Sequence, residues 1–221
     1  MEPERVEEIF HRFEEHNPHP TTELHYTNPY TLLVAVVLSA QSTDKGVNKA
    51  TEKLFRVADT PEKMVALGID GIKRYINTIG LYNSKAKHVY ELSKILIDRY
   101  GGKVPADREA LMALPGVGRK TANVVLNVAF HQPTIPVDTH VFRVARRLGL
   151  AHGNTPLKVE QELEHVIPDR YRDRAHHWLI LHGRYVCKAR KPACDRCFLI
   201  DLCDYAIRSG LVAQPSSSDT C

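Results

Sequence analysis

The sequence predicts an all-α protein. Apolar residues recur at intervals of three and four almost throughout the chain, as in Val6, Ile9, Phe10 and Phe13. Signals for helix starts and stops are frequent, and the long apolar–polar alternation typical of half-buried strands is missing. With 221 residues, of which 43% are hydrophobic, the chain is long enough to bury one large core or two smaller ones. We expect about ten helices.

Three sites illustrate the helix signals in chain order. Asn28 and Pro29 precede an apolar run, and Thr60-Pro61-Glu62 combines a capping residue with a first-turn proline and a first-turn acid. Gly101 and Gly102 follow a long amphipathic segment and predict its end. The extended, proline-containing passage 131–136 separates two helical blocks and marks the expected domain boundary.

The net charge of +4 is unevenly distributed. The first fifteen residues contain six glutamates against Arg5 and Arg12, so the remaining 206 residues carry a net charge of +8. A basic body suits a polyanionic partner, although this charge is also ordinary for a soluble enzyme. The apolar stretch 30–40 is about half the length of a membrane-spanning helix, and the N-terminus is acidic rather than a basic leader. We therefore expect a soluble protein with no targeting segment and no membrane partner.

The segment 111–129, LMALPGVGRKTANVVLNVA, predicts two helices joined by a tight turn. Gly116 and Gly118 allow positive φ and let the backbone approach another molecule closely. The second helix starts at about Arg119, and its free N–H groups favour an anion such as a DNA phosphate, a contact that does not depend on base sequence. A simple turn between two core helices would explain the same residues.

Lys120 falls in the first turn of this second helix. An ammonium group there faces the positive end of the helix dipole, which disfavours its charged form. A neutral amine is a nucleophile that can form an imine. A solvated surface lysine is the alternative interpretation.

Asp138 precedes an amphipathic helix marked by Val141, Val144 and Leu148. The ordinary role of such a residue is to cap the helix. Its functional role would be electrostatic, either beside a sugar that becomes cationic or as a base that deprotonates an attacking amine. Capping and catalysis are compatible.

Four of the five cysteines are clustered with the spacing C-x6-C-x2-C-x5-C, at Cys187, Cys194, Cys197 and Cys203. This clustering argues for a metal site in a reducing compartment rather than for disulfides. Zinc ribbons usually combine two CxxC pairs, whereas a four-thiolate iron–sulfur cluster suits one compact loop; zinc and buried free thiols are the alternatives. The fifth, Cys221, lies in a Ser-rich terminal segment that we expect to be a flexible tail, starting at 206.

The first two clustered cysteines enclose three basic residues, Lys188, Arg190 and Lys191. A short loop with this charge density is expected to bind phosphate, although part of its charge could offset the anionic thiolates.

The turn LPGVGRKTA, the VDTH segment at Asp138 and the cysteine spacing, in this order, resemble the endonuclease III family of helix-hairpin-helix DNA glycosylases. The resemblance covers the chain from its first helix to Cys203. It implies a six-helix domain over 22–132 and an iron–sulfur domain made of 1–21 and 133–221, with a DNA-binding cleft between them.

The resemblance also implies roles for individual residues. Lys120 corresponds to the nucleophile and Asp138 to the catalytic carboxylate, while the four clustered cysteines correspond to the ligands of a 4Fe-4S cluster. Gln41, in a loop similar to the family's LSAQ segment, and Leu81 would fill the space left by an extruded base. The implied DNA contacts are Gln41, Leu81, Gly116, Val117, Gly118, Arg119, His140, Arg143, Lys188, Arg190 and Lys191.

The implied activity is excision of oxidised or ring-saturated pyrimidines from double-stranded DNA, followed by cleavage of the abasic site by β-elimination. We expect a monomer in the bacterial cytoplasm, associated with the nucleoid. One alternative is a monofunctional mismatch or adenine glycosylase, which generally lacks the lysine and carries an extra C-terminal domain for which 18 residues after Cys203 leave no room. The other is a non-catalytic iron–sulfur protein that binds DNA, against which the presence of both Lys120 and Asp138 argues.

Overall fold

The computed structural model describes residues 1–213, and it confirms the all-α prediction. Within this range the regular elements are eleven α-helices and two short 3-10 helices, without a strand. None of these helices is both long and apolar enough to cross a membrane. The helices are α1 (Pro3–His16), α2 (Pro29–Leu38), α3 (Asp44–Val57), α4 (Pro61–Ile76), α5 (Tyr82–Tyr100), α6 (Arg108–Met112), α7 (Arg119–Phe130), α8 (Thr139–Leu148), α9 (Pro156–Val166), α10 (Asp169–Tyr185) and α11 (Asp204–Arg208).

The chain forms two compact units. Thr22–Thr134, here called the hairpin unit, contains α2 to α7, and Met1–Thr21 joins the chain from Ile135 onward to form the cysteine unit. The boundary expected from the sequence lies between residues 132 and 133. Thr134 extends the hairpin unit because its hydroxyl donates to the carbonyl of Asn123 at 2.6 Å, while Asn127 donates to the carbonyl of Thr134 at 3.2 Å.

The core of the hairpin unit is built around α2, whose residues from Tyr30 to Leu38 are all buried. A capping box starts this helix: the Asn28 side chain accepts from the N–H of Thr31 at 2.8 Å, and the Thr31 hydroxyl accepts from the N–H of Asn28 at 3.0 Å. The Tyr30 hydroxyl lies 2.5 Å from the Ser93 hydroxyl of α5, so this polar pair is satisfied inside the core.

Other helix boundaries follow the sequence signals, with one addition. Thr60 caps α4 by accepting from the N–H of Lys63 at 3.2 Å, and Gly101 ends α5 in the left-handed region with φ 61°. Gly68 inside α4 has φ 74°, so the helix is kinked there. The kink was not predicted, because the residues on both sides of Gly68 continue the helical apolar pattern.

In the cysteine unit, α1 packs its apolar face against α10. Phe13 stacks on Trp178 with ring centroids 6.1 Å apart, and Phe10 stacks on Tyr171 at 5.8 Å. The Trp178 indole donates to the carbonyl of Asn17 at 2.7 Å. The first helix is thereby held in the same core as residues more than 150 positions further along the chain.

The C-terminal segment starts differently from the prediction. The expected flexible tail began at 206, but residues 206–208 belong to α11, so this part of the prediction is wrong. Ala206 is buried and its carbonyl accepts from the N–H of Leu211 at 2.9 Å, which extends the ordered chain. The prediction of a flexible tail for residues 214–221, which include Cys221, lies outside the described residues.

The turn between α6 and α7 uses its two glycines in different ways. Gly116 has φ 75°, and a Cβ built on it would lie 2.9 Å from Nδ1 of His88. Gly118 has φ −92° and ψ −178°, a conformation open to any residue, and a Cβ there would have no neighbour within 4 Å. Of the two glycines that allow positive φ, only Gly116 adopts it.

This difference predicts opposite stabilities for two matched variants. Gly116→Ala should lose about 1–2 kcal/mol from the left-handed backbone alone, and more from the contact with His88. Gly118→Ala should stay within about 1 kcal/mol of the wild type, since it meets neither obstacle. Chemical unfolding followed by circular dichroism measures both values, and equal losses would contradict this account of the turn.

Candidate functional site

The start of α7 is a potential anion site in the hairpin unit. Its N-cap, Gly118, offers no side chain to cap the helix, and the first turn contains no acidic residue. Helix geometry leaves the first N–H groups without an acceptor inside the helix, so they can bind an anion that approaches over Gly118. Lys120 is the second residue of α7 and is exposed, which makes its ammonium group accessible to the same ligand.

Val117 in this turn differs from its neighbours. Its side chain is buried in the core of the hairpin unit, and its N–H donates to the carbonyl of Leu114 at 3.2 Å. Its role in the structure is therefore to anchor the turn, while Gly116 and Gly118 remain exposed.

Asp138 is the N-cap of α8, as the sequence predicted, and both of its carboxylate oxygens are engaged. Oδ1 accepts from the N–H of Val141 at 2.8 Å, and Oδ2 lies 3.0 Å from Nδ1 of His140. Burial raises the pKa of Asp138, but the hydrogen bonds from the Val141 N–H and the His140 ring, with electrostatic interactions from His176 and His140, outweigh this effect. The pKa of Asp138 therefore lies below its ordinary value. The carboxylate is therefore ionised at neutral pH.

His176 was not singled out in the sequence. It is buried on α10, and its Nδ1 lies 2.9 Å from the carbonyl oxygen of Pro136, which fixes the ring near the segment that leads to Asp138. The sequence gives no signal that His176 lies near Asp138, because the two residues are 38 positions apart. Lys120 belongs to the hairpin unit, and Asp138 with its two histidines belongs to the cysteine unit.

Gln41 and Leu81, two residues that the resemblance singled out, share an uncommon backbone conformation. Gln41 has φ 55° and Leu81 has φ 59°, in the left-handed region that non-glycine residues seldom adopt. Both are exposed, Leu81 to 58%. A Cβ on Gly80 would lie 3.9 Å from the carbonyl oxygen of Gln41, so the two turns are neighbours. An exposed leucine held in a costly conformation is typical of a functional position.

All four clustered cysteines line one cavity in the cysteine unit. Its other lining residues, such as Leu148 and Pro192, are mainly apolar. Burial raises the pKa of Cys197 to about 11 and also raises the pKa values of Cys194 and Cys203, so these groups need a cationic partner to become thiolates.

The four thiols fit an iron–sulfur cluster. Four cysteine thiolates are the usual ligands of such a cluster, and all four cysteines line the same mainly apolar cavity.

Two arginines of α8 hold the loop that follows Cys187. Arg147 donates to the carbonyls of Lys188 at 2.7 Å and Ala189 at 3.1 Å, and its Nη1 lies 3.4 Å from Cys187 Sγ. Arg143 donates to the carbonyls of Cys187 at 3.0 Å and Gly183 at 2.8 Å. The guanidinium group of Arg143, expected to contact DNA, thus binds protein carbonyls.

Three basic side chains remain exposed on this fixed loop: Lys188, Arg190 and Lys191. Lys191 has φ 51°, so it is another non-glycine residue in the left-handed region. The arginines of α8 hold the backbone of this loop, while the basic side chains of the loop remain exposed. Such a loop is suited to a polyanionic ligand.

Comparison with known proteins agrees with this geometry. Residues 34–169 match the HhH-GPD superfamily of base excision DNA repair proteins, and residues 187–203 match the iron–sulfur binding domain of endonuclease III. Endonuclease III of Haemophilus influenzae is 60% identical over 198 residues, which cover 90% of this chain and 94% of that protein. Endonuclease III of Escherichia coli K12 is 58% identical with the same coverage.

Solved structures give the same result. A trapped covalent intermediate of endonuclease III with DNA matches with a TM-score of 0.89 and 44% identity, covering 95% of this chain and 99% of that one. A non-covalent endonuclease III–DNA complex matches with a TM-score of 0.89 and 43% identity, covering 96% and 100%. A thermostable thymine-DNA glycosylase matches with a TM-score of 0.81 and 26% identity, covering 93% and 98%.

The uncapped start of α7, the ionised aspartate and the four-cysteine cavity thus occur in a chain whose sequence and fold both match the same family of repair enzymes. The chain belongs to the endonuclease III family, the DNA-binding glycosylases and abasic-site lyases of base excision repair that carry a 4Fe-4S cluster.

Proposed function

We propose that this enzyme removes oxidised or ring-saturated pyrimidines from double-stranded DNA, acts as a monomer on chromosomal DNA, and uses Lys120 as its nucleophile. The observation that carries the proposal is the exposed Lys120 at the uncapped start of α7, where a phosphate can approach over Gly118. A solved relative with a TM-score of 0.89 was captured as a covalent intermediate with DNA, which supports a nucleophile on the protein. The pyrimidine substrates follow from the family resemblance.

The proposed reaction begins when the damaged base is rotated out of the stack, at a cost of a few kcal/mol that is least for weakened pairs. The Lys120 amine then attacks C1′ of the deoxyribose, the C1′–N glycosidic bond breaks, and the base leaves with a proton. Ring opening gives a Schiff base between Nζ and C1′. Loss of a proton from C2′ expels the 3′ phosphate, and hydrolysis of the imine frees Lys120.

Asp138 provides negative charge near the reacting sugar in this proposal. Its lowered pKa keeps it ionised, so it can stabilise a cationic sugar or accept the proton of the attacking amine. His140 is better explained as the partner of Asp138 Oδ2 than as a direct DNA contact, because its Nδ1 is 3.0 Å from that oxygen.

We propose that Cys187, Cys194, Cys197 and Cys203 hold the 4Fe-4S cluster, since all four line one cavity. The bound cluster supplies a cross-link within a segment that has little apolar surface of its own. Lys188, Arg190 and Lys191 would then contact phosphates from the loop between the first two ligands. Arg143 would hold this loop through its carbonyls instead of contacting DNA.

We propose that Gln41 and Leu81 fill the gap left by the extruded base, which their exposure and left-handed backbone support. The start of α7, with Gly116, Gly118 and Arg119, would contact the phosphate backbone, and Val117 would support that turn from the core. A strand-cleavage panel of thymine glycol, oxidised cytosine, a uracil mismatch and a plain abasic site tests the substrate class. An adenine mismatch is the fifth duplex of the panel, and activity on that duplex alone would instead favour the adenine-specific alternative.

Lys120→Gln should abolish covalent trapping. With borohydride present during the reaction, the wild type should give a protein–DNA adduct on a thymine glycol duplex, because the reductant converts the imine to a stable amine. Denaturing gels measure the adduct. Lys158→Gln, a change at another exposed lysine, is the control and should trap normally. An adduct formed by Lys120→Gln would overturn the assignment.

Asp138→Asn should separate the role of Asp138 as a helix cap from the role of its negative charge in base excision. Asparagine caps helices about as well as aspartate, so the melting temperature should change little, whereas single-turnover base excision should fall about 10²-fold or more. Because the pKa of Asp138 is lowered, its contribution to stability is present at neutral pH and is lost as the pH falls through that lowered value. Excision at wild-type rate by Asp138→Asn would show that the carboxylate acts only as a cap.

Lys191→Gln should weaken binding to damaged and undamaged duplexes by the same factor. If Lys191 contacts one phosphate, the slope of log affinity against log salt should become shallower by about 0.9. Fluorescence anisotropy over a salt series measures this slope, with Lys158→Gln as the exposed control in the same unit. A loss confined to damaged DNA would argue for a lesion-specific role instead.

A further inference from the structure

Lys85 is a buried cation for which the proposed chemistry gives no role. It lies in the first turn of α5 and is only 4% exposed. Its Nζ donates to the Ser42 hydroxyl at 2.9 Å, a neutral acceptor, and the structure gives it no ion pair within residues 1–213. Burial accordingly lowers the pKa of Lys85. A buried ammonium group with a neutral partner is costly, and such groups persist where they serve a purpose.

The position of Lys85 indicates what that purpose is. Its N–H donates to the carbonyl of Leu81 at 3.0 Å, so its backbone closes the turn that presents Leu81. Its side chain bonds to Ser42, the residue directly after Gln41. Lys85 therefore contacts both turns, whose tips are the exposed residues Gln41 and Leu81 with positive φ. Lys85 and Ser42 are 43 positions apart in the chain.

Each turn is closed by a backbone hydrogen bond, from the Ser42 N–H to the Ser39 carbonyl at 3.1 Å and from the Lys85 N–H to the Leu81 carbonyl at 3.0 Å. The Lys85 side chain adds a hydrogen bond between the two turns. Gln41 and Leu81 both occupy a strained region of backbone space, and a strained turn relaxes unless its surroundings fix it. The nearby position 80 is glycine, so the two backbones approach without an intervening side chain. The Lys85–Ser42 hydrogen bond crosses this contact and joins α5 to the loop before α3.

We propose that Lys85 is a positioning residue that, through Ser42, fixes the Gln41 loop against the Leu81 turn so that both tips enter the DNA stack as one rigid wedge. The inference rests on the proposed insertion of Gln41 and Leu81. It assigns to Lys85 no contact with the sugar or the leaving base. Its effect is largest on the extrusion of the base, because that step carries the free-energy cost of unstacking and unpairing the base.

The test compares two reactions of the full-length, cluster-containing enzyme. Single-turnover excision of thymine glycol requires extrusion, whereas cleavage of a preformed abasic site in the same duplex has no base to extrude. Lys85→Met removes the ammonium group but keeps most of the side-chain volume, and Ser42→Ala removes only the acceptor. Each should lower excision about five- to tenfold while abasic cleavage and undamaged-DNA affinity stay within about twofold.

Three further variants make the result specific. The double variant Lys85→Met/Ser42→Ala should be no worse than either single one, since both remove the same bond. Ser42→Thr keeps the hydroxyl group and should therefore excise thymine glycol at the wild-type rate. Lys87→Met removes the same charge from an exposed position of α5, where Lys87 pairs with Glu91 at 3.8 Å, and should leave both reactions unchanged.

The contradicting outcomes are distinct. If Lys85→Met and Ser42→Ala slow both reactions equally, or neither, the positioning role is overturned. Should Lys85→Met fail to fold, Ser42→Ala alone decides, because its side chain is small and only half-buried. Gln41→Ala and Leu81→Ala test the underlying wedge: if they slow excision selectively and the Lys85 and Ser42 variants do not, only the present inference fails. If they have no selective effect, the wedge fails as well.

Discussion

The unpaired N–H groups at the start of every helix are the constraint on which this molecule's functional groups depend. Asp138 meets it by capping α8 with one carboxylate oxygen. Gly118 has no side chain that could accept from the first N–H groups of α7, so an external anion can bind these donors beside Lys120. At α5 the N-cap is Leu81, which has no side chain able to cap and projects into solvent. Two of the helices that begin without a side-chain cap, α5 and α7, start where we propose that DNA binds.

The segment that contains the four cysteines buries few apolar side chains and must be stabilised by other interactions. The chain around the four cysteines contributes few buried residues, and it is held largely through its backbone carbonyls. Arg12 donates to the carbonyl of Phe198 at 2.9 Å and pairs with Asp201 at 2.7 Å, while Arg147 and Arg143 bind the loop after Cys187. Arginine suits this task because its rigid, planar group donates several hydrogen bonds at once. The first helix is thus part of the framework of a segment near the other end of the chain.

The agreement between sequence and structure is best where the signal is local. Caps at Asn28, Thr60 and Asp138 were predictable because a side chain and an N–H three residues later decide them. The positive φ of Gly116 was predicted for the same reason, and Gly118 shows the limit of that reasoning. Glycine there is not required by backbone conformation or by a close protein neighbour, so its absence of a side chain is better explained by an approaching ligand.

Local patterns were enough to predict the helices, the turn before Lys120, the cap at Asp138 and the four cysteines, because each depends on residues within a few positions of one another. Three interactions emerged only from the folded chain: His140 and His176 help to lower the pKa of Asp138, Arg143 binds carbonyls, and Lys85 reaches Ser42. These interactions join residues that are distant in the chain or depend on a rotamer chosen by packing. Their energies arise from burial and from neighbours that no local pattern specifies.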